Sequence, residues 1–197
     1  MTCTITMLVA DVLALMGETA ATSAEAAAIF PGADPREAVS RKVAALLPGA
    51  GSTLIADADV KDLADAPLLT LTASKRLMPS GAYAGVATLP AGFLRAVAVR
   101  MECWADDARH IFGAGCHLTP RLWNPEPGIA GTPTAPLAYI LAGSEGLQIW
   151  GMASPSDSTE SLLLRCWSIP TPDAEGTFHF PGALYAALAA RIASQMM

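Results

Sequence analysis

The chain has 197 residues, a length that fits one sizeable domain or one domain with helical additions. Hydrophobic residues make up 52% of it and charged residues only 15%, so the chain can bury a core and is not a disordered polymer. The net charge of −6 argues against a protein that binds nucleic acid through a basic patch, although it does not exclude one that surrounds DNA without gripping it.

The N-terminal segment predicts a helix over residues 4–16, followed by Gly17 as its stop. A short second helix is expected after Ser23 and before Pro31. The apolar positions of the first helix recur at helical spacing: Ile5, Leu8, Val9, Val12 and Met16. Asp11 interrupts this apolar run and no basic residue precedes it, so the segment is not typical of a signal peptide. No apolar stretch reaches the roughly 18–20 residues that cross a bilayer, and we expect synthesis in the cytoplasm with no membrane partner.

The clearest helix start lies at Asp34, with Pro35 at the first helical position and Glu37 three residues beyond the cap. The predicted apolar stripe contains Val39, Val43, Leu46 and Leu47. Pro48 and Gly49 are expected to end this helix.

Four acidic residues follow in a segment that predicts one or two short helical turns: Asp57, Asp59, Asp62 and Asp65. A calcium-binding EF-hand loop starting at Asp57 needs glycine at its sixth position and glutamate at its twelfth, where this chain has Asp62 and Leu68. The acids are therefore interpreted as helix caps and a solvated face.

From Leu68 onwards the apolar period changes towards two, which predicts strands at "LLTLTAS", "AYAGVATLP" and "FLRAVAVRMECW". In the last of these, Val97, Val99, Met101 and Cys103 are expected on one face, with Arg100 and Glu102 on the other. Asp106 and Asp107 are then expected to turn the chain back through "ARHIF" as a hairpin.

Residues 113–136 hold many of the chain's glycines and prolines, with Trp123 in the middle. Two interpretations stay open: an ordered surface loop whose tryptophan fills the core, or a loop that becomes ordered on assembly. Beyond it, residues 137–170 predict a three-stranded meander. Its inward residues are Leu137, Tyr139 and Leu141, then Leu147 and Ile149, then Leu162, Leu164 and Cys166. A C-terminal helix follows Pro181, with Leu184, Leu188 and Ile192 on one stripe.

The sequence thus predicts an α+β fold: a helical N-terminal half, an antiparallel sheet of hairpins or meander, and a C-terminal helix. We place a helical region at residues 1–66 and the sheet with the C-terminal helix at residues 67–197, folding as one cooperative domain.

The chemistry-bearing residues form no recognised site. Cys3, Cys103, Cys116 and Cys166 are scattered without a C-x-x-C pair, which predicts four reduced thiols. The set Cys103, His110, Cys116 and His117 lacks the regular spacing of zinc ligands. Cys116 and His117 are adjacent, an unfavourable arrangement for a nucleophile and its base, although His110 or His179 could supply a base from elsewhere. We expect no catalytic residue, no metal and no cofactor.

The order of motifs in the second half is distinctive. Leu89-Pro90 is followed by Phe93-Leu94-Arg95, a strand ends near Trp104, and "YILAG" leads to "LQIW". A serine–proline turn, "LLLRCWSIP" and an alanine-rich helix complete the order. This arrangement resembles the head–tail connector, or adaptor, proteins of tailed bacteriophages and prophages. Gly92 and Trp150-Gly151 depart from the pattern, where the family often has an acidic residue and a Tyr-Pro.

The resemblance implies a structural virion protein, assembled in the host cytoplasm into a homo-oligomeric ring, a dodecamer, beneath the portal in the virion neck. Portal protein and other neck or tail proteins would be its partners, and DNA would pass through the channel without specific binding. Trp123, Tyr139 and Trp150 are the candidate interface aromatics, because aromatic residues are enriched at interface centres. Core packing is the competing role for each.

Two other function classes stay open. One is a small-ligand binding module with an apolar pocket lined by Trp104, Trp150 and Trp167. The other is a cysteine-dependent enzyme that uses Cys116 or His117.

Overall fold

The computed structural model describes residues 1–17, 35–77, 83–101, 104, 106–108, 110–112, 137–140, 147–150 and 159–197. The helices are α1 (Ile5–Leu15), α2 (Pro35–Asp57) and α3 (Tyr185–Met196), with 3₁₀ turns at Val60–Leu63 and Gly182–Leu184. The strands are β1 (Thr2–Thr4), β2 (Leu68–Leu77), β3 (Tyr83–Ala87), β4 (Phe93–Met101), β5 (His110–Phe112), β6 (Leu137–Ile140), β7 (Leu147–Trp150), β8 (Thr159–Ser168) and β9 (Thr177–His179). The α+β fold class is confirmed.

The chain divides into two compact units. A helical unit contains Met1–Asp65 and Trp167–Met197, and a sheet unit contains Ala66–Cys166. The predicted division kept the C-terminal helix with the sheet, at residues 67–197. In the structure α3 instead packs against α1 and α2, because its buried stripe of Leu188 and Ile192 needs an apolar helix partner.

The helical unit begins as its sequence predicts. The Thr4 hydroxyl caps α1 by accepting a hydrogen bond from the Met7 N–H at 3.2 Å. Gly17, with a φ of 72°, follows the helix end. The buried residues are Ile5, Leu8 and Val12, as expected from the helical spacing. The segment that predicts a second helix after Ser23 lies outside the described residues.

Helix α2 begins at Pro35 as predicted, but the predicted end at Pro48 is wrong. The helix runs through Pro48 to Asp57. A proline in a helix interior removes one backbone hydrogen bond and costs about 3 kcal/mol. The apolar stripe continues past it, since Leu47, Ala50 and Ile55 are all buried, and this packing outweighs the local penalty.

A two-stranded sheet that the sequence did not predict completes the helical unit. β1 pairs with β9 in antiparallel register, with Cys3 opposite Phe178. Both strands have only three residues, too few for a recognisable alternation. In the same unit the Trp167 indole N–H donates to the Leu63 carbonyl at 3.2 Å in a buried hydrogen bond.

The sheet unit is one seven-stranded sheet in the order β4-β8-β2-β3-β7-β6-β5. Residues 137–170 therefore do not form a consecutive meander: β6 and β7 pair as a hairpin, but β8 pairs with β2 over seven residue positions. The long ladder between the two ten-residue strands satisfies more backbone groups than a short β7–β8 pairing would. The predicted residues Leu162, Leu164 and Cys166 do face the core.

The predicted turn after β4 is present, but β5 is not a simple hairpin partner. The Ala108 N–H donates to the Val99 carbonyl at 2.8 Å, so the chain reverses beside β4. The ladder of β5 is formed with β6 and is parallel, starting with His110 opposite Leu137. Since β4 and β5 are the two ends of the strand order and also contact each other, the sheet curls until its edges meet.

The inside of the curled sheet is the core of this unit. Val99 and Met101 are buried there, as the alternation of β4 predicts, and Arg100 is exposed. Trp104, which follows the strand, is buried in the same core. Val97 is only partly buried, while Cys103 and Glu102 lie outside the described residues. Within the described parts of the chain, no helix is both long enough and apolar enough to cross a bilayer.

Candidate interaction surface

The outer face of β2, β8 and β4 carries a shallow groove of about 290 Å³, which we call the arginine groove. It is lined by Leu68, Ala98, Arg100, Asp107, Leu163 and Arg165. Successive residues of a strand point to opposite faces, so Leu163 and Arg165 face outwards while their neighbours Leu162, Leu164 and Cys166 are buried. The groove is therefore the reverse side of the same strands that build the core.

The register between β2 and β8 brings an apolar and a cationic residue together in this groove. Leu68 lies directly opposite Arg165 on the neighbouring strand. Leu68 is 53% exposed, an unusual position for a large aliphatic side chain at the start of a long strand. An exposed leucine beside a guanidinium is a combination typical of protein contact surfaces, where arginine is enriched.

The charges of the groove are unbalanced. The Arg100 Nη1 lies 3.9 Å from the Asp107 Oδ1, and both side chains are about half exposed (51% and 54%), so water screens this pair strongly. Arg165 is exposed and forms no ion pair with any residue that the structure describes. Two guanidinium groups thus face one carboxylate, which suits a carboxylate-bearing partner because guanidinium binds carboxylate with two parallel hydrogen bonds.

A second exposed feature lies in the helical unit, in residues 57–65, which we call the acidic turn. Val60 at its 3₁₀ helix is 55% exposed. The same segment carries Asp57 and Asp59, which are exposed, and Asp62, which is half-buried, and the Lys61 Nζ lies 3.3 Å from the Asp59 Oδ2. Asp59 occupies the N-cap position of this 3₁₀ turn, as the interpretation of the acids as caps and a solvated face expects, but its exposed side chain makes no capping hydrogen bond.

Asp65, the last acid of this segment, has a structural role. Its Oδ2 accepts hydrogen bonds from the Met1 amino group at 3.0 Å and from the Gly182 N–H at 3.1 Å. Burial alone would raise the pKa of Asp65, but the Gly182 hydrogen bond and the Met1 ammonium outweigh it and hold this pKa below its usual value. Asp65 therefore joins the two ends of the helical unit rather than presenting a free charge.

The structure describes the three predicted interface aromatics to different extents. Tyr139 in β6 is only 1% exposed, so its side chain packs within the chain. Trp150 ends β7 opposite Leu137, and its side chain lies outside the described part, as does all of Trp123. The arginine groove was missed by sequence reasoning, because its residues come from three strands that are distant along the chain.

Two of the three tryptophans proposed to line a ligand pocket pack inside the chain. Trp104 is buried in the core of the sheet unit, and Trp167 is buried in the helical unit, each 2% exposed. The side chain of Trp150 is not among the described residues.

Two of the four cysteines are described, and both are buried free thiols, as predicted for them. Burial raises the pKa of the Cys166 thiol to about 11 and also raises the pKa of Cys3, against the lowering effect of the nearby amino terminus. Cys103, Cys116 and His117 lie outside the described residues. Among the residues that the structure does describe, no three or more potential metal ligands cluster together.

Comparison with protein-family models and with curated proteins found no match to this chain. The chemistry of the described surface is therefore the basis for assigning a role. The lining of the arginine groove is chemically suited to a partner that presents carboxylates beside an apolar side chain.

Proposed function

We propose that the chain is a structural subunit of the head–tail connector of a tailed bacteriophage or prophage, working in a ring beneath the portal. The single observation that carries the proposal is the arginine groove on the outer face of the curled sheet. Its exposed Leu68 and its excess of guanidinium groups favour association with protein rather than turnover of a small molecule.

The resemblance in sequence supports the same proposal. Phe93-Leu94-Arg95 begins β4, "LLLRCWS" belongs to β8, and the alanine-rich segment is α3. β4 and β8 are neighbours in the sheet and both contribute to the groove. Leu163 and Arg165 of the groove belong to "LLLRCWS", so one of the motifs that carry the resemblance lines this surface.

The net charge agrees with a channel component. A protein with a net charge of −6 repels DNA phosphates, so a genome could slide past it without sticking. Portal protein and neck or tail proteins would be its partners, and the virion neck its location.

The test is binding to portal rings from the phage or prophage that encodes the chain. We expect the purified protein at about 10 μM to co-sediment with portal rings, and electron microscopy to show an added ring of density at one end of the portal. An unrelated acidic protein of similar size serves as the control for protein carried into the pellet without binding the portal. A chain that stays in the supernatant at this concentration, like the control, contradicts the proposal.

A further inference from the structure

We infer that the arginine groove of one copy receives the acidic turn of a neighbouring copy, so that the chain associates head to tail. This inference rests on the proposed function in one respect: it names the contact that would join adjacent subunits of the ring. The contact itself is argued from the two surfaces.

The charges of the two surfaces are complementary. In the arginine groove, two guanidinium groups face one carboxylate. The acidic turn carries three carboxylates, Asp57, Asp59 and Asp62, against one ammonium group, that of Lys61, which pairs with Asp59. Neither Asp57, which is exposed, nor Asp62, which is half-buried, forms an ion pair with any described residue, so each can pair with Arg165 of a neighbouring copy. Opposite potentials of this kind fix the orientation of a contact and raise its rate of formation.

The apolar residues of the two surfaces are complementary as well. Val60 is 55% exposed at the centre of the acidic turn, and Leu68 is 53% exposed in the groove beside the partly buried Leu163. Docking would remove both exposed side chains from water, which is the main source of affinity in most protein contacts. Charged groups around an apolar centre are the usual arrangement of such an interface.

The symmetry of this contact follows from the surfaces. Because the groove and the acidic turn are different parts of the chain, each copy would use one surface towards each neighbour. Such a heterologous contact repeats until it closes into a ring or extends as a filament, whereas a two-fold contact stops at a dimer. A connector subunit that works in a ring needs a heterologous contact of this repeating type.

Charge reversal with rescue tests the inference. We would measure self-association by sedimentation velocity, up to about 0.5 mM, for wild type, Arg165→Glu, Asp62→Arg and an equal mixture of the two variants. Each single reversal should weaken association at least about tenfold, because a like-charge contact replaces an opposite-charge one. The mixture should associate again within about threefold of wild type, since each intact surface then meets an intact one and each reversed surface a reversed one.

Matched controls are available on other exposed positions. Lys42→Glu on α2 and Glu175→Lys before β9 change the net charge by the same amounts as the test variants, and both should associate as wild type does. Association of wild type should also weaken as salt is raised, because the groups involved are exposed.

Three results would overturn the inference: a wild-type chain that stays monomeric throughout this range, reversals that leave association unchanged, or a mixture that fails to recover. Portal binding is scored separately. If the chain binds portal rings but the charge reversals leave its self-association unchanged, this contact is refuted and the connector proposal is retained. Self-association that responds to the charge reversals, without binding to portal rings, supports this contact and contradicts the connector proposal.

Discussion

Gly51 lies in the C-terminal half of α2, and replacing it with alanine tests whether the helix approaches its neighbours as closely as the structure indicates. Gly51 is buried, and a Cβ added there would lie 2.5 Å from the Cγ of Pro170 and 3.1 Å from the Cε2 of Phe180. The first distance is shorter than any ordinary van der Waals contact, and the nearest atom belongs to a proline ring that cannot swing aside. Gly51→Ala must therefore move the backbone of the helical unit.

Two opposing effects determine how much Gly51→Ala changes the free energy of unfolding. Alanine is about 1 kcal/mol more favourable than glycine in a helix interior. Overpacking a tight site costs about 1–3 kcal/mol. Because the clash involves a ring, we expect the overpacking cost to exceed the helix gain, so that Gly51→Ala lowers the free energy of unfolding by up to about 2 kcal/mol.

Gly49 supplies a matched control in the same helix. It is exposed, and an added Cβ meets nothing within 4 Å, so Gly49→Ala keeps only the helix gain. We expect it to raise the free energy of unfolding by about 0.5–1 kcal/mol. Urea denaturation followed by far-ultraviolet circular dichroism measures both variants. If Gly51→Ala were stabilised as much as Gly49→Ala, the close approach of α2 to Pro170 would be refuted.

Three further outcomes are expected. Trp167→Phe should lower the free energy of unfolding by about 1–3 kcal/mol in urea denaturation, because the buried Leu63 carbonyl loses its donor; an unchanged midpoint would contradict that hydrogen bond. The raised pKa of Cys166 gives stability that is complete below pH 9.0 and lost towards about 11, so unfolding midpoints should fall more steeply over this range in wild type than in Cys166→Ala. The lowered pKa of Asp65 gives stability that is present at neutral pH and lost as pH falls below about 4, so Asp65→Asn should be less stable at pH 7 by under about 1 kcal/mol and show a shallower loss in acid. If stability fell with pH equally steeply in a variant and in wild type, the replaced group would not contribute to the pH dependence of stability.

The helices could be predicted from local sequence wherever their signals agree. Thr4, the spacing of Ile5, Leu8 and Val12, and Gly17 all indicate the same helix, and α1 has those bounds within a residue or two. Pro48 is the informative failure. A local rule ends the helix there, but the buried stripe from Val43 to Ile55 continues, and a local rule contains no term for packing against residues more than a hundred positions away.

The strands could be predicted individually, but their order could not. Alternation identifies β2 and β8 as strands and assigns Leu162 and Leu164 to the core face, because it depends only on the two-residue period. Which strand becomes a neighbour depends on backbone pairing over distance. A local hairpin is the default expectation, and the pairing of β8 with β2 rather than β7 is a consequence of ladder length that no short segment contains.

The candidate surface exists only because of that pairing. Leu68 and Arg165 are each unremarkable in their own segments, an apolar residue at a strand start and a charged residue on a solvent face. They become one surface because the register sets them opposite each other, and β4 then adds Arg100 beside them. A single-residue slip of β8 would turn Arg165 inwards and expose Cys166, which the burial of Leu164 and Cys166 in the core opposes. The packing of the interior thus fixes which residues lie on the outer face, and a candidate surface of this kind becomes visible in the structure even when none of its residues stands out in the sequence.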